Sequence, residues 1–198
     1  MKFRKVTGVA AAAALLVGGT VAVASSASAA PLVPATGSTF LMFNPATVVG
    51  LVENDVPAWS IQPSGSTLLV EGRQGAWVVE FAITALEKSK RLTHLGGVMF
   101  THTHHGGHEA GHTEEVALYD PTINLVKAKI SAVLVYEGED FGRKNVFSVS
   151  GGTATATGFE DVKVKFLAGK AEAVNELLGV HVFAPEQRIG KADVVVTG

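Results

Sequence analysis

Five of the chain's seven histidines, His102, His104, His105, His108 and His112, fall within eleven residues, in the run THTHHGGHEAGH. Imidazole is the commonest protein metal ligand and the side chain that titrates nearest neutral pH. An all-imidazole set suits zinc, copper(II) or nickel(II). Each ligand must be neutral to bind, so affinity is expected to fall with pH. Glu109, Glu114 and Glu115 are adjacent oxygen donors. Val98, Phe100, His102 and His104 alternate, so on a strand they share one face. The apolar pair would point to the core, and the two imidazoles would continue that face about 7 Å apart. His108 and His112 have helical spacing, but Gly106, Gly107 and Gly111 favour a loop. Such a loop would fold back to offer His105, His108 or His112 as further ligands. The competing readings are a pH-sensitive surface loop and a solvated hairpin tip. His94 and His181 stand alone and read as structural or surface residues.

Other chemistry is sparse. Residues 99–108 have a superficial likeness to the strand-end H-x-H-x-D-H of metallo-β-lactamase-type hydrolases. The water-activating Asp is missing, the last His comes one residue late, and only His181 remains downstream. Ser64, Ser66 and Ser148 lack a His/Asp context for nucleophilic attack. The pairs Gly96-Gly97, Gly106-Gly107 and Gly151-Gly152 are read as turns rather than phosphate loops. The chain is therefore read as a binder and not as an enzyme.

A histidine-bearing strand needs neighbours. Residues 39–43, 67–71, 76–84, 97–103, 116–119, 123–136, 146–149, 153–157, 162–167 and 192–197 all have strand character. Period-two alternation is clearest in VKVKFL, which starts at Val162. Turn formers such as Asp120-Pro121, Glu137-Gly138 and Gly151-Gly152 separate the runs. This spacing predicts antiparallel strands joined by hairpins, packed as a sandwich or an open barrel. The expectation adopted is an antiparallel β-sandwich with one or two short helices. One helix starts at Asn44-Pro45 and ends near Glu53, with Val48, Val49 and Val52 facing inward. The other spans 169–178, with Ala171, Val174, Leu177 and Leu178 as its apolar stripe and Gly179 as its cap.

The N-terminus reads as a targeting segment. Lys2, Arg4 and Lys5 precede an apolar run, and Ala27-Ser28-Ala29 forms an A-x-A cleavage site. The expected organisation is a signal peptide at 1–29, a short leader at 30–37 and one domain at 38–198. Cysteine is absent, which excludes disulfides, thiolate metal sites and a lipid-anchoring cysteine. The expected location is extracellular, free or loosely associated with the cell wall. The formal net charge is −2; without the three basic residues of the signal peptide the chain is more acidic still. Nucleic acid and anionic membranes are poor partners for such a balance. Stable membrane insertion is not expected after removal of the signal peptide.

The order of segments carries a resemblance. Trp77–Thr84 reads WVVEFAIT and residues 92–100 read LTHLGGVMF. They are followed by ALYDPTINL, AVLV, GGTATATG, AEAVNELLG and VFAPEQRIGKADV. Over roughly 75–195 the chain resembles secreted actinobacterial β-domain proteins related to the HtaA (haem-transport-associated) family. The resemblance implies a mostly β domain and, in some members, haem bound through a tyrosine near the domain's start. The corresponding segment here, residues 38–44, carries Phe40 and Phe43 and no tyrosine, so no iron ligand carries over. Two functions follow as expectations. The first is a secreted module that binds a transition metal, or less favourably haem, at His102, His104, His105, His108 and His112. The alternative is a ligand-free envelope protein that contacts other envelope proteins or polymers.

Overall fold

A computed structural model describes residues 32–62, 65–71, 74–87, 90–107 and 110–197. The expected signal peptide, and His108 with Glu109, lie outside the described residues.

Short alternating runs form the strands. The clearest is β12 (Gly158–Phe166), where Val162, Val164 and Phe166 are buried while Lys163 and Lys165 point outward. The same alternation buries Thr39, Leu41 and Phe43 of β2 (Thr36–Phe43) and Val79, Phe81, Ile83 and Ala85 of β5 (Gln74–Glu87). The remaining wall strands are β6 (Arg91–Leu95), β8 (Thr113–Asn124), β9 (Lys129–Tyr136), β10 (Glu139–Ser150) and β13 (Arg188–Thr197). Pairing runs β2-β5-β6-β8-β9-β10-β12-β13, and β13 returns to β2. Every pair in this circuit is antiparallel. The eight strands therefore close into a barrel, and the expected β-sandwich is overturned.

The physical reason lies in which strands pair. Inward-facing alternation is the same in a sandwich and a barrel. Closure depends on β13 lying along β2 from Gly190↔Phe43 to Thr197↔Thr36. Thr36 Oγ1 donates to the Thr197 carbonyl at 2.7 Å across 161 residues of chain. No local pattern reports a contact of that range. The strands β1 (Leu32–Pro34), β4 (Gly65–Glu71), β7 (Gly97–Thr103) and β11 (Thr153–Ala154) pair onto the wall without joining the circuit, and β3 (Ala58–Ile61) pairs onto β7. Among the described residues the first paired strand is β1, which falls in the segment read as a leader.

An eight-stranded barrel has an interior just wide enough for side chains to fill. Here Phe43, Phe100, Phe183, Phe166 and Phe147 make a continuous chain of ring contacts, with centroids 4.9 to 6.4 Å apart. The cavity that remains among Leu41, Phe81, His94 and their neighbours is about 40 Å³. That is room for a water molecule, against roughly 300 Å³ or more for a small-molecule pocket. A porphyrin does not fit that cavity. His94 lies in this core. Its Nδ1 meets the Pro121 carbonyl at 2.9 Å, which can only accept, so Nδ1 carries the proton. Its Nε2 is then free to accept from Thr39 Oγ1 at 2.8 Å. Burial pushes the His94 pKa down to about 4, against a smaller upward effect of the Pro121 hydrogen bond.

Two expected boundaries move. Asp120-Pro121 does not turn the chain but makes a bulge inside β8, with Asp120 at φ 47° and a register shift between Tyr119 and Thr122. The turn lies instead at 125–128, within the run read as one strand. Asn124 Oδ1 accepts from Lys127 N at 2.8 Å there, and Ala128 adopts φ 51°.

Both short helices are present. In α1 (Pro45–Glu53), Asn44 caps the first turn by accepting from Thr47 N at 2.7 Å. Its buried face is Thr47, Val48 and Leu51, while Val49 and Val52 are exposed. That corrects the expected inward face, because Leu51 and not the valine pair meets the core. In α2 (Lys170–Leu178), Ala171, Val174, Asn175 and Leu178 are buried. Asn175 Nδ2 donates to the Phe183 carbonyl at 2.7 Å, and Oδ1 accepts from Phe183 N at 3.0 Å. Among the described residues, no helix is long and apolar enough to cross a membrane.

Candidate metal centre

The break between β6 and β7 positions the site. Gly96, at φ 85°, ends β6, whose earlier residues pair with both β5 and β8. β7 then continues along β8 with β3 on its other side. A Cβ at Gly97 would come within 2.4 Å of the Leu118 carbonyl oxygen, so only glycine permits this approach. The β7–β8 hairpin thereby runs on past the barrel wall.

Register carries chemistry to its end. His102 pairs with Glu114 and Thr103 with Thr113. Beyond them His104 N donates to the His112 carbonyl at 2.9 Å, and Gly111 N donates to the His104 carbonyl at 2.7 Å. His104 and His112 therefore face each other across the hairpin, their rings stacked with centroids 6.3 Å apart. One face of β7 reads Val98, Phe100, His102, His104, and the matching face of β8 reads Leu118, Val116, Glu114, His112. Val98, Phe100, Val116 and Leu118 are core residues. The same face turns from apolar to ligating where it leaves the barrel.

β9 and its turn complete the cluster. Tyr136 pairs with Val116, and its phenol donates to Glu114 Oε2 in a short hydrogen bond. That orients the carboxylate and leaves Oε1 toward the histidines. Glu137, in the turn between β9 and β10, donates its N–H to the Glu115 carbonyl at 3.1 Å. Its Oε1 lies 3.0 Å from His112 Nε2, and Glu114 Oε1 lies 3.4 Å from the same nitrogen. The ligand atoms of His112, Glu114 and Glu137 all lie within 4.8 Å of one another. Donors about 2.0–2.2 Å from a tetrahedral ion sit roughly 3.3–3.6 Å apart. This surface His/Glu cluster is capable of coordinating a metal ion.

His104 stands next to it. Its Nε2 is 3.9 Å from Glu114 Oε1. That nitrogen is buried and has no hydrogen-bond partner among the described residues, which is a destabilising state for a polar atom. On the other side its ring meets the left-handed cap of α2, where a Cβ at Gly179 would lie 3.1 Å from His104 Cε1.

The other histidines have different positions. His102 Nδ1 meets the Leu178 carbonyl at 3.0 Å and so donates, which ties β7 to the end of α2. Its ring packs edge-on against His104, 4.8 Å between centroids. His105 points away, with Nε2 3.9 Å from Asp55 Oδ2 and both groups well exposed. His181 is exposed and His94 is in the barrel core. Of the five histidines expected to ligate, the fold groups His104 with His112, turns His102 to the Leu178 carbonyl and sets His105 apart, while His108 lies outside the described residues. It brings His104 and His112 beside Glu114, one of the oxygen donors read from the sequence, and adds Glu137 and Tyr136, which the sequence did not connect with the cluster. Glu137-Gly138 carried only a turn signal, and nothing local links it to a histidine 25 residues earlier. No family model, curated protein or solved structure matches this chain.

Proposed function

We propose that the chain is a secreted binding protein for a divalent transition-metal ion, held by His112, Glu114 and Glu137 with His104 as the fourth ligand. One observation carries the reading. His112 Nε2 lies 3.0 and 3.4 Å from two carboxylates, and a second imidazole holds an unpartnered buried nitrogen near one of them. Mixed imidazole and carboxylate donors suit zinc, with nickel and copper(II) as competitors. Calcium and magnesium favour all-oxygen shells. The leader-like N-terminus and the lack of cysteine support a role outside the membrane. Haem is not proposed as the ligand.

The test is calorimetric titration with zinc, copper(II) and nickel. We expect stoichiometric, submicromolar binding that His112→Ala or Glu114→Gln weakens at least tenfold. The pair His105→Ala with His108→Ala should bind as the unaltered chain does. The reverse pattern would return the site to a histidine-only loop. Binding no tighter than about 0.1 mM in every variant, about 5.5 kcal/mol, would favour the ligand-free envelope protein instead.

A further inference from the structure

At the far end of β8, roughly 30 Å from Glu114 along the strand, the barrel's outer surface holds a second concavity. It measures about 290 Å³ and is lined by Arg91, Thr122, Asn124, Lys127, Lys129, Ser131 and Asn145. Register explains the gathering. Arg91 pairs with Asn124 and Asn124 with Lys129, which makes one row across β6, β8 and β9. Thr122 pairs with Ser131 and Ser131 with Asn145, which extends the next row onto β10. The intervening residues Leu92, Ile123 and Ile130 are buried in the core, so Arg91, Asn124, Lys129 and Ser131 face out, while Thr122 is buried beneath Arg143.

The lining has no apolar side chain. It presents one guanidinium, two ammonium groups, two hydroxyls and two amides. Arg91 has a carboxylate partner, Glu87, at 3.5 Å. Among the described residues, neither Lys127 nor Lys129 forms an ion pair. Arg143 adds a further cation at the margin. Its Nη1 donates to the Asp120 carbonyl at 2.8 Å, to Thr122 Oγ1 at 3.2 Å and to the Ser131 carbonyl at 3.3 Å. It thereby braces the bulge and fixes the floor of the depression. An acidic chain has here placed like charges side by side, an arrangement that is unfavourable until an anion neutralises it.

We infer that this concavity binds a phosphate group carried on a polyol, such as a sugar phosphate or a polyol phosphate. Arg91, Lys127 and Lys129 would take the dianion, since guanidinium and ammonium groups donate charge-assisted hydrogen bonds to phosphate oxygens. Ser131, Asn145 and the free amide N–H groups of Asn124 would take the hydroxyls. An apolar ligand would gain nothing from these walls.

The inference is tested by heteronuclear NMR titration of the protein with glycerol phosphate, inorganic phosphate and glycerol. Glycerol phosphate should give saturable shifts at residues 91, 122–131 and 145. Inorganic phosphate should bind more weakly, and glycerol should give none. The double variant Lys127→Glu with Lys129→Glu should weaken glycerol phosphate at least tenfold while zinc binding and the melting temperature stay unchanged. If the double variant loses its fold, Lys129→Gln alone should still weaken binding severalfold. Equal binding of inorganic phosphate, shifts that never saturate, or unaltered binding in a folded variant would each overturn the assignment.

Discussion

At the scale of single residues, two side chains act in ways their neighbours alone do not reveal. Tyr136 acts on the site through Glu114. It holds Oε2 of that carboxylate, and a group that orients a ligand typically contributes ten- to a hundredfold in metal affinity. Tyr136→Phe should therefore weaken zinc about tenfold in calorimetry and leave the stoichiometry unchanged. His94 works through protonation. Above about pH 6.5 it is neutral both folded and unfolded. As the pH falls through that value the unfolded chain takes up a proton that the folded core refuses until about pH 4. Stability is lost across that window and levels off below it. The loss attributable to His94 is roughly 3 kcal/mol. Urea denaturation midpoints followed from pH 7 to 4 should show this slope, and His94→Gln should remove that share of it.

At the scale of elements, the hairpin of β7 and β8 decides whether the site exists. Its root is Phe100, 2% exposed and in ring contact with Phe43 of β2 and Phe183 after α2. Phe100→Ala should cost about 3–5 kcal/mol by chemical denaturation. Gly97→Ala should also destabilise, because the added methyl meets the Leu118 backbone and not a movable side chain. Alternation on β7 was readable from sequence and places His102 and His104 beyond Val98 and Phe100. The pairing of His104 with His112 needs the hairpin register. The turn at 125–128 was hidden because Asn124 and Ala128 make it without glycine or proline. The same turn brings Lys127 and Lys129 toward Arg91.

At the scale of the whole molecule, the barrel is closed by its first and last wall strands. β2 and β13 are paired over their length, so a chain ending before Arg188 leaves two wall edges unpaired and Ile189, Ala192 and Val194 missing from the core. Deletion of 188–197 should abolish the near-ultraviolet circular dichroism and the cooperative melt. The sequence by itself determined most of the strands, though not β1, β3 or β6, together with both helices and the concentration of imidazoles at one hairpin. It could do so because alternation, capping and turn chemistry are local, set by residues within a few positions of one another. Tertiary structure decided barrel over sandwich, and brought Glu137 to His112 and Glu114. It also decided a basic depression on a chain whose net charge is negative. Each of these depends on register between strands far apart in sequence, which no pattern within one strand encodes.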